Sequence, residues 1–303
     1  MNVVFITFDF NISVFAEFFN YHIFSDFEQL TIEINIPVFI LNIKQNIMNK
    51  IEFILGLDVS TSVIGMSVFK LDNDNLEIII SESLELKTKE TNKLKGLESL
   101  LIKNNIFEEK LNQYVALIKM TYNNQITRVI LEEPLFSSNN ALTCGVLLKF
   151  NGIISGTVYK TVGVIAEYIS SYDARMYAFP ILCAVNAFNK KGEKRTLKEL
   201  QKALKDGNLP LFGNFAFGIS KKDVIFDLII ERYPNINVLL DKKGEIRKIN
   251  YDASDSIACV LGKLNMDKCG GKKPKLKSYD IQSDKITYKT QWMDIIYEHV
   301  ITL

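Results

Sequence analysis

The stretch ILGLDVSTSVIGMSVF, residues 54–69, constrains the fold more than any other part of the chain. One carboxylate, Asp58, ends an apolar run, a turn of small residues follows, and a second apolar run comes directly after the turn. Apolar runs of this length that are separated by turn residues predict two buried strands. Asp58 is therefore either a turn-forming residue or one member of a site assembled from distant parts of the chain.

The remaining patterns predict a mixed α/β fold. A turn rich in Asn and Asp leads from the second strand to a third, which predicts an antiparallel meander. Apolar residues then recur at helical intervals over 94–120, with a predicted interruption at Asn104 and Asn105, and a short strand, RVILEEP, stops at Pro134. The other predicted elements are a helix over 139–161, a fifth strand over 162–170, and helices over 219–233 and 252–264. This order favours a five-stranded mixed sheet that is antiparallel in its first three strands and flanked by helices.

Composition divides the chain into three regions. Residues 1–47 are apolar but interrupted by acids, and Met48 follows them, which predicts an N-terminal appendage without a catalytic role. The main domain is expected over 48–267, with a basic insertion at about 181–217. A lysine-rich segment, 268–303, is expected to be a mobile basic C-terminal tail. The first region lacks both the basic start of a signal peptide and an unbroken apolar span, so no membrane association is expected.

Charge and cysteine content narrow the functional classes. The formal net charge is only +1, so contact with nucleic acid requires local basic patches. Two patches are candidate DNA arms, NKKGEKRTLKELQKALK in the insertion and KKPKLK in the tail, although each also fits an ordinary solvated surface. The four cysteines include no CxxC pair, which is typical of a reducing compartment. A cytoplasmic location is expected, in a bacterial cell or a phage-infected host.

Acidic residues stand at the ends of predicted elements. Asp58 ends the first strand, Glu132 and Glu133 end the fourth, and Asp252 and Asp255 open the last helix. A spacing of three residues puts the last two on one face of that helix. Taken singly, an aspartate after a strand fits a turn, acids at a helix start fit the helix dipole, and a glutamate near a proline fits a solvated strand end.

Taken together, these acids predict a metal site. If the first and fourth strands are neighbours, their terminal carboxylates lie side by side, and the last helix can place two more beside them. Four carboxylates that close repel one another unless a cation neutralises them. Oxygen ligands without His or Cys select Mg²⁺ or Mn²⁺, and such sites catalyse in-line displacement at phosphate. Nucleophilic catalysis by histidine is not supported, since His22 and His299 lie near the chain ends.

Several motifs, in the same order, resemble those of the RuvC-like Holliday junction resolvases of the RNase H-like superfamily. LGLDVSTSVIGMSVF is similar to the first motif of this family, an apolar strand, Asp, a small turn and Gly in the next strand. VILEEPLFSSNNALTCGVLLKFNG is similar to the second, and YDASDSIACVLG to the closing helix with its D-x-x-D pair. SSYDARM and ISKKDVIFDLI resemble the segments that supply basic residues. The resemblance covers roughly residues 52–264.

The resemblance implies an RNase H-like endonuclease that resolves Holliday junctions or other branched DNA. It implies Mg²⁺-dependent phosphodiester hydrolysis that leaves 5′-phosphate nicks, a homodimer, and no small-molecule cofactor. The implied ligands of two Mg²⁺ or Mn²⁺ ions are Asp58, Glu132, Asp252 and Asp255, with Glu133 as the alternative to Glu132. The resemblance also implies phosphate-binding residues, namely Lys221, Lys222, Arg175, Ser60 and Thr61. Lys221 is in addition assigned a catalytic role. The apolar helix over 139–161 is a candidate dimer surface, with ordinary core packing as the alternative.

Other activities remain open. The turn Val59-Ser60-Thr61 stands where bacterial members of the family have Pro-Gly, so flap cleavage and cleavage of RNA–DNA hybrids are alternatives to strict junction resolution. A sugar or acetate kinase of the actin-like superfamily also begins with a strand, Asp and a small turn, but the late Gly270-Gly271 pair lies in a lysine-rich segment. The intact acids argue against a non-catalytic DNA-binding module. Heavy use of Ile, Asn and Lys indicates an AT-rich genome, which suits a phage or virus.

Overall fold

The predicted antiparallel meander is present in the computed structural model. Strands β1 (Ile51–Val59), β2 (Val63–Asp72) and β3 (Asn75–Glu85) pair in sequence order. The structure describes residues 51–302 except 90, 92, 135–140, 184–192, 194, 207–219, 283 and 284. The predicted appendage over 1–47 and most of the predicted insertion lie outside the described residues.

Two parallel strands complete this sheet. β4 (Ile126–Glu132) pairs with β1, and the short β5 (Glu167–Ile169) pairs with β4, which gives the order β3-β2-β1-β4-β5. A mixed five-stranded sheet with this order and these directions has the RNase H-like fold, so the predicted fold class is confirmed. The fifth strand is shorter than the predicted 162–170, because a helix and a turn at Gly163, with a φ of 76°, occupy the start of that segment.

Helices cover both faces of the sheet. Those in the described part of the chain are α1 (Gly96–Tyr122), α2 (Ala141–Val162), α3 (Ser171–Ala178), α4 (Leu197–Lys205), α5 (Lys221–Arg232) and α6 (Asn250–Lys268). Leu55 and Leu57 of β1 pack with α1 and α2, whereas Ile54 of β1 and Ile130 of β4 pack with α3, α5 and α6. Because side chains alternate along a strand, Asp58 belongs to the second of these faces.

Helices α1 and α2 form one layer. The predicted interruption of α1 is wrong: the helix runs unbroken past Asn104, whose buried amide oxygen accepts a hydrogen bond from Thr157 Oγ1 of α2 at 2.8 Å. This bond satisfies a polar group that would otherwise be costly in the core. Within the described residues, α2 is the one helix that is long and apolar enough to cross a membrane. One face of α2, with Phe150 and Ile154, is part of the core.

The segment predicted as a mobile tail forms a second sheet. Strands β6 (Lys275–Ile281), β7 (Lys285–Trp292) and β8 (Ile295–Thr302) are antiparallel neighbours. Helix α4 begins with a capping box between Thr196 and Glu199 and contributes Leu200 and Leu204 to a core shared with this sheet. Every second residue of β7 from Ile286 to Trp292 is buried, so ordinary strand periodicity accounts for the sheet.

Replacing Trp292 by alanine is expected to lower the free energy of unfolding by about 3 kcal/mol, the usual cost of truncating a large buried aromatic side chain. Trp292 packs with Met176 and Tyr177 of α3, and its Nε1 donates to the Lys272 backbone oxygen at 3.1 Å. Urea denaturation followed by circular dichroism measures the change. Tyr279→Ala, at an exposed position of β6, is the control and should stay within about 0.5 kcal/mol of wild type. Equal effects of the two changes would contradict the packing role of Trp292.

An ion-pair network joins β4, β5 and α6. Glu167 accepts hydrogen bonds from Arg128 at 2.5 and 2.8 Å and pairs with Lys263 at 2.9 Å, and Asp267 contacts both cations. The hydrogen bonds from Arg128 are the main reason that the pKa of Glu167 falls to about 2.

Glu167→Gln is expected to lower the free energy of unfolding by roughly 1 kcal/mol at pH 7, a small effect because the side chain is partly exposed. The folded pKa lies below the unfolded value of about 4.3, so the contribution is fully present above that value and is lost as the pH falls toward 2. Urea denaturation at a series of pH values measures it. The difference from wild type should shrink steadily below pH 4, and a difference that grows on acidification would refute the network.

Candidate active site

Two acids meet at one edge of the central sheet. β1 and β4 run parallel with Leu57 opposite Leu131, so the next residues, Asp58 and Glu132, lie at the same edge of adjacent strands. The carboxyl ends of neighbouring parallel strands are the usual position of sites in α/β sheets. Alternation along the strands directs both side chains toward the face covered by α6.

A glycine lets α6 approach the sheet closely. Gly65 of β2 is the strand partner of Asp58, and a Cβ atom added at Gly65 would lie only 1.8 Å from the backbone oxygen of Asp252. Any side chain at this position would force the start of α6 away from β2. The absence of a side chain therefore brings the first turn of α6 beside Asp58.

A serine from another strand caps α6. The residue before the helix, Ile249, supplies no capping side chain. The hydroxyl of Ser83 in β3 instead donates to the Ile249 backbone oxygen at 2.5 Å and accepts from the Ala253 backbone N–H at 3.1 Å. The Ile249 oxygen and the Ala253 N–H are the two groups of the first i→i−4 pair of α6, and the Ser83 hydroxyl bridges them. Ser83 thus fixes the turn that carries the α6 acids.

Two basic side chains reach the acids of α6. Arg175 of α3 donates to Asp255 Oδ1 from Nη2 at 2.9 Å and from Nε at 3.3 Å. Lys222 Nζ of α5 lies 3.3 Å from Asp255 Oδ2 and 3.8 Å from Asp252 Oδ1. The Asp255 side chain is only 5% exposed, whereas Asp252 is 24% exposed. Asp58, Glu132, Asp252 and Asp255 are called the acid cluster below. Arg175 and Lys222 therefore place two positive charges of the chain itself against this cluster.

Burial and mutual repulsion raise pKa values in the acid cluster. The pKa of Asp58 is held well above its usual range. Burial is the largest cause, followed by the negative charges of Glu132, Asp255 and Asp252. Burial and the charge of Asp255 raise the pKa of Glu132 to about 7, against the lowering effect of the two nearby cations. Burial also raises the pKa of Asp252. Ionising all four acids would place more negative charge in the cluster than Arg175 and Lys222 neutralise.

The donor atoms of the acid cluster fit a hard divalent cation. All its side chains offer carboxylate oxygens, which Mg²⁺ and Mn²⁺ prefer. Their positions are not those of a complete coordination shell, because no three His, Cys, Asp or Glu side chains in the described part of the chain are placed to share a metal ion. Holding an ion therefore requires the side chains of Asp58, Glu132 and Asp252 to turn toward one another.

Two predicted residues lie beside the acid cluster but outside it. Glu133 follows β4, and strand alternation directs its side chain away from that of Glu132, while its backbone N–H donates to the Ile169 oxygen at 2.8 Å. Lys222, and not Lys221, is the lysine of α5 that reaches the acids. Of the neighbours Glu132 and Glu133, the structure therefore brings Glu132 to the site. Of Lys221 and Lys222, it brings Lys222.

The predicted phosphate-binding turn is occupied with its own hydrogen bonds. Ser60 Oγ donates to the Val63 backbone oxygen at 2.7 Å and accepts from the Val63 N–H at 3.0 Å, so it closes the turn between β1 and β2. The Thr61 backbone oxygen accepts a hydrogen bond from Lys103 Nζ at 2.8 Å. These contacts give both residues a structural role in holding the loop that follows Asp58.

Sequence reasoning missed several features of the site. The capping contact of Ser83, the close approach of α6 to Gly65 and the pairing of Arg175 with Asp255 depend on contacts between distant segments, and no local pattern indicates them, although Gly65 itself is part of the first motif. Cys259 of α6, whose Sγ lies 3.9 Å from Glu132 Oε2, was also not singled out. The choice of Lys222 had a local signal, because this residue precedes the buried Ile225, Phe226 and Ile229 by three, four and seven positions, the spacing of one helical face.

Comparisons with known proteins indicate a likeness in fold alone. No protein-family model matches the chain, and no curated protein sequence matches it. The structure is similar to that of Thermus thermophilus RuvC in complex with a Holliday junction substrate, with 11% identity, 73% of this chain and 98% of that chain covered, and a TM-score of 0.39. The yeast mitochondrial Holliday junction resolvase Ydc2 has 12% identity over 72% of this chain and 79% of its own, with a TM-score of 0.37. The Aquifex aeolicus PPX-GPPA enzyme has 12% identity, with 74% of this chain and 94% of that chain covered and a TM-score of 0.31.

Proposed function

We propose that this chain is a divalent-metal-dependent endonuclease that cleaves branched DNA, with the four-way junction as its main substrate. The observation that carries the proposal is the meeting of four carboxylates, an arginine and a lysine at the adjacent ends of β1 and β4. Phosphodiester hydrolysis develops negative charge on phosphate oxygens, and such a set of groups can hold an ion and stabilise that charge.

Each side chain has a distinct task in this proposal. Asp58, Glu132 and Asp252 would hold the divalent ion, which when bound supplies Lewis acidity and lowers the pKa of water. Lys222 is 45% exposed, so its ammonium group can turn from the acids toward a phosphate oxygen of an entering strand. Cleavage on the 3′-oxygen side of the phosphate leaves a 5′-phosphate end.

A basic segment beside the site supports a nucleic-acid substrate. Lys272 and Lys273 of the KKPKLK stretch are exposed, and Lys273 Nζ lies 3.4 Å from Asp173 Oδ1 of α3, the helix that carries Arg175. The Tyr177 hydroxyl donates to the Gly271 backbone oxygen at 2.7 Å, which fixes this segment against α3. Lysines held near the acid cluster can neutralise the backbone of a DNA arm. The preference for branched DNA rests on the order of the sequence motifs, which resembles that of the RuvC-like resolvases.

We also propose that the protein acts as a homodimer through α2, since a four-way junction has two equivalent strands to cut. Of the apolar residues of this helix, Phe150 and Ile154 are buried in the core, whereas Val146, Leu148 and Tyr159 are exposed. Sedimentation velocity should give a dimer for the wild type and a monomer for Tyr159→Asp. The protein is expected to act in the cytoplasm of a bacterial or phage-infected cell.

A cleavage assay on a panel of substrates tests the function. Four-way junction, flap, linear duplex and RNA–DNA hybrid are each incubated with the full chain, with Mg²⁺ and with EDTA. We expect Mg²⁺-dependent nicks in the junction, sealed by DNA ligase because they carry 5′-phosphates. Preferred cleavage of the flap or the hybrid would overturn the junction assignment. Absence of any cleavage, with ATP-dependent phosphorylation of a sugar or acetate, would replace the nuclease by the kinase alternative.

A further inference from the structure

We propose that Asp255 is the anchor of Arg175 and Lys222 and not an ion ligand, so that the acid cluster takes one divalent ion per chain. This inference deepens the proposed function and rests on it, because it specifies how the same site uses its acids. It differs from the expectation of two ions that the sequence resemblance implies.

Both oxygens of Asp255 are already engaged. Oδ1 accepts from Nη2 and Nε of Arg175 at 2.9 and 3.3 Å, and Oδ2 lies 3.3 Å from Lys222 Nζ. The side chain is only 5% exposed, so a water molecule or an ion has little access to it. An ion that displaced Arg175 would leave a guanidinium, itself only 19% exposed, without its partner, which is costly.

The backbone that carries Arg175 is held in place on both sides. The Ser170 hydroxyl caps α3 by accepting from the Asp173 N–H at 3.0 Å. Gly262 of α6 packs so closely on α3 that a Cβ atom there would lie 2.2 Å from the Ala174 backbone oxygen. Arg175 and Asp255 are thus carried by two helices in direct backbone contact, whereas Lys222 reaches the cluster from a more exposed position on α5.

The charge balance agrees with a single ion. The four carboxylates of the acid cluster face the guanidinium of Arg175 and the ammonium of Lys222. A bound cation favours the ionised form of each acid, and with all four carboxylates ionised two negative formal charges remain, which one divalent cation neutralises. A second divalent ion would give the cluster a net positive charge unless Lys222 left it. Asp58, Glu132 and Asp252 are the acids that remain for the ion.

Counting bound Mn²⁺ tests the inference independently of cleavage. Mn²⁺ is titrated into the metal-free full-length protein, and electron paramagnetic resonance measures the unbound ion. We expect one ion per chain in the wild type and in Asp255→Asn, and binding weakened about tenfold or more in Asp252→Asn. Arg175→Gln, which frees Asp255, is expected to bind a second ion.

Two outcomes would overturn the inference. One is two ions of similar affinity in the wild type, a result that does not depend on any variant folding. The other is a count that stays at one in an Arg175→Gln protein with a native circular dichroism spectrum. One ion per chain without cleavage of any substrate would overturn the proposed function and leave the role of Asp255 intact. Two ions with junction cleavage would overturn the role of Asp255 and leave the proposed function intact.

Discussion

Asp58→Asn is expected to slow junction cleavage by about 10³-fold, since loss of an ion-holding carboxylate removes several kcal/mol of transition-state stabilisation and each 1.4 kcal/mol is a factor of about ten. Asp58 is the second-last residue of β1 and lies beside Glu132 and the start of α6, so its carboxylate is close to the other three acids of the cluster. Asparagine has nearly the same shape, so the fold should be kept. Junction affinity should be largely unchanged, because binding depends on cations that neutralise phosphates. Single-turnover cleavage and gel-shift titration measure the two effects.

Glu133→Gln is the matched control for this substitution. Glu133 is adjacent in sequence to Glu132 but points away from the acid cluster, so the variant should cleave at the wild-type rate. If Glu133→Gln loses activity and Asp58→Asn does not, the site has been assigned to the wrong acids. If Asp58→Asn loses junction binding and cleavage together, Asp58 has a role in the fold or in DNA contact that the acid cluster does not explain.

Gly65→Ala is expected to have the largest effect on stability, about 3 kcal/mol or more, because overpacking a close backbone contact forces an element to move. The added methyl group would lie 1.8 Å from the backbone oxygen of Asp252 and 2.9 Å from the Ala253 nitrogen. These atoms belong to the helix backbone and cannot rotate away. The start of α6 must therefore shift, which moves both α6 acids relative to Asp58, so cleavage should fall as well. Thermal unfolding and cleavage assays measure the two losses.

Gly152→Ala is the control, since it adds the same methyl group where no atom outside the backbone of its own helix lies within 4 Å. Gly152 is exposed in the middle of α2, on the face that also carries Leu148 and Tyr159, so the control is made in the monomeric Tyr159→Asp background. There alanine favours the helix by about 1 kcal/mol, so this variant should be slightly more stable than its parent. A Gly65→Ala protein as stable as wild type would show that α6 does not approach β2 as closely as the structure has it.

The sheet and half of the site could be predicted from local pattern. The continuous apolar run of β1 and the apolar run before Glu132 indicate buried strands whose ends carry acids, and the three-residue spacing of Asp252 and Asp255 places both on one helical face. The strand alternation that separates Glu132 from Glu133 was also readable in advance. These features depend only on residues close to one another in the chain.

The other half of the site depends on contacts between segments that are distant in the sequence. Ser83 caps a helix that begins at Asn250, and Arg175 binds an acid 80 positions later, pairings that no local periodicity indicates. The C-terminal sheet was missed for a different reason, because the many lysines of β6 and β7 resemble a solvated tail unless the alternation from Ile286 to Trp292 is given more weight. Composition describes the exposed face of such a sheet, and only periodicity indicates its buried face.

The central claim is that the acids at the ends of β1 and β4 and at the start of α6 act as one hydrolytic site. The most direct test is the single-turnover rate of junction cleavage in Mg²⁺ by Asp58→Asn, Glu132→Gln and the double variant. Groups that act as a unit are not additive, so the double variant should be no slower than the slower single variant. A loss in the double variant equal to the product of the two single losses, or a wild-type rate in either single variant, would contradict the claim.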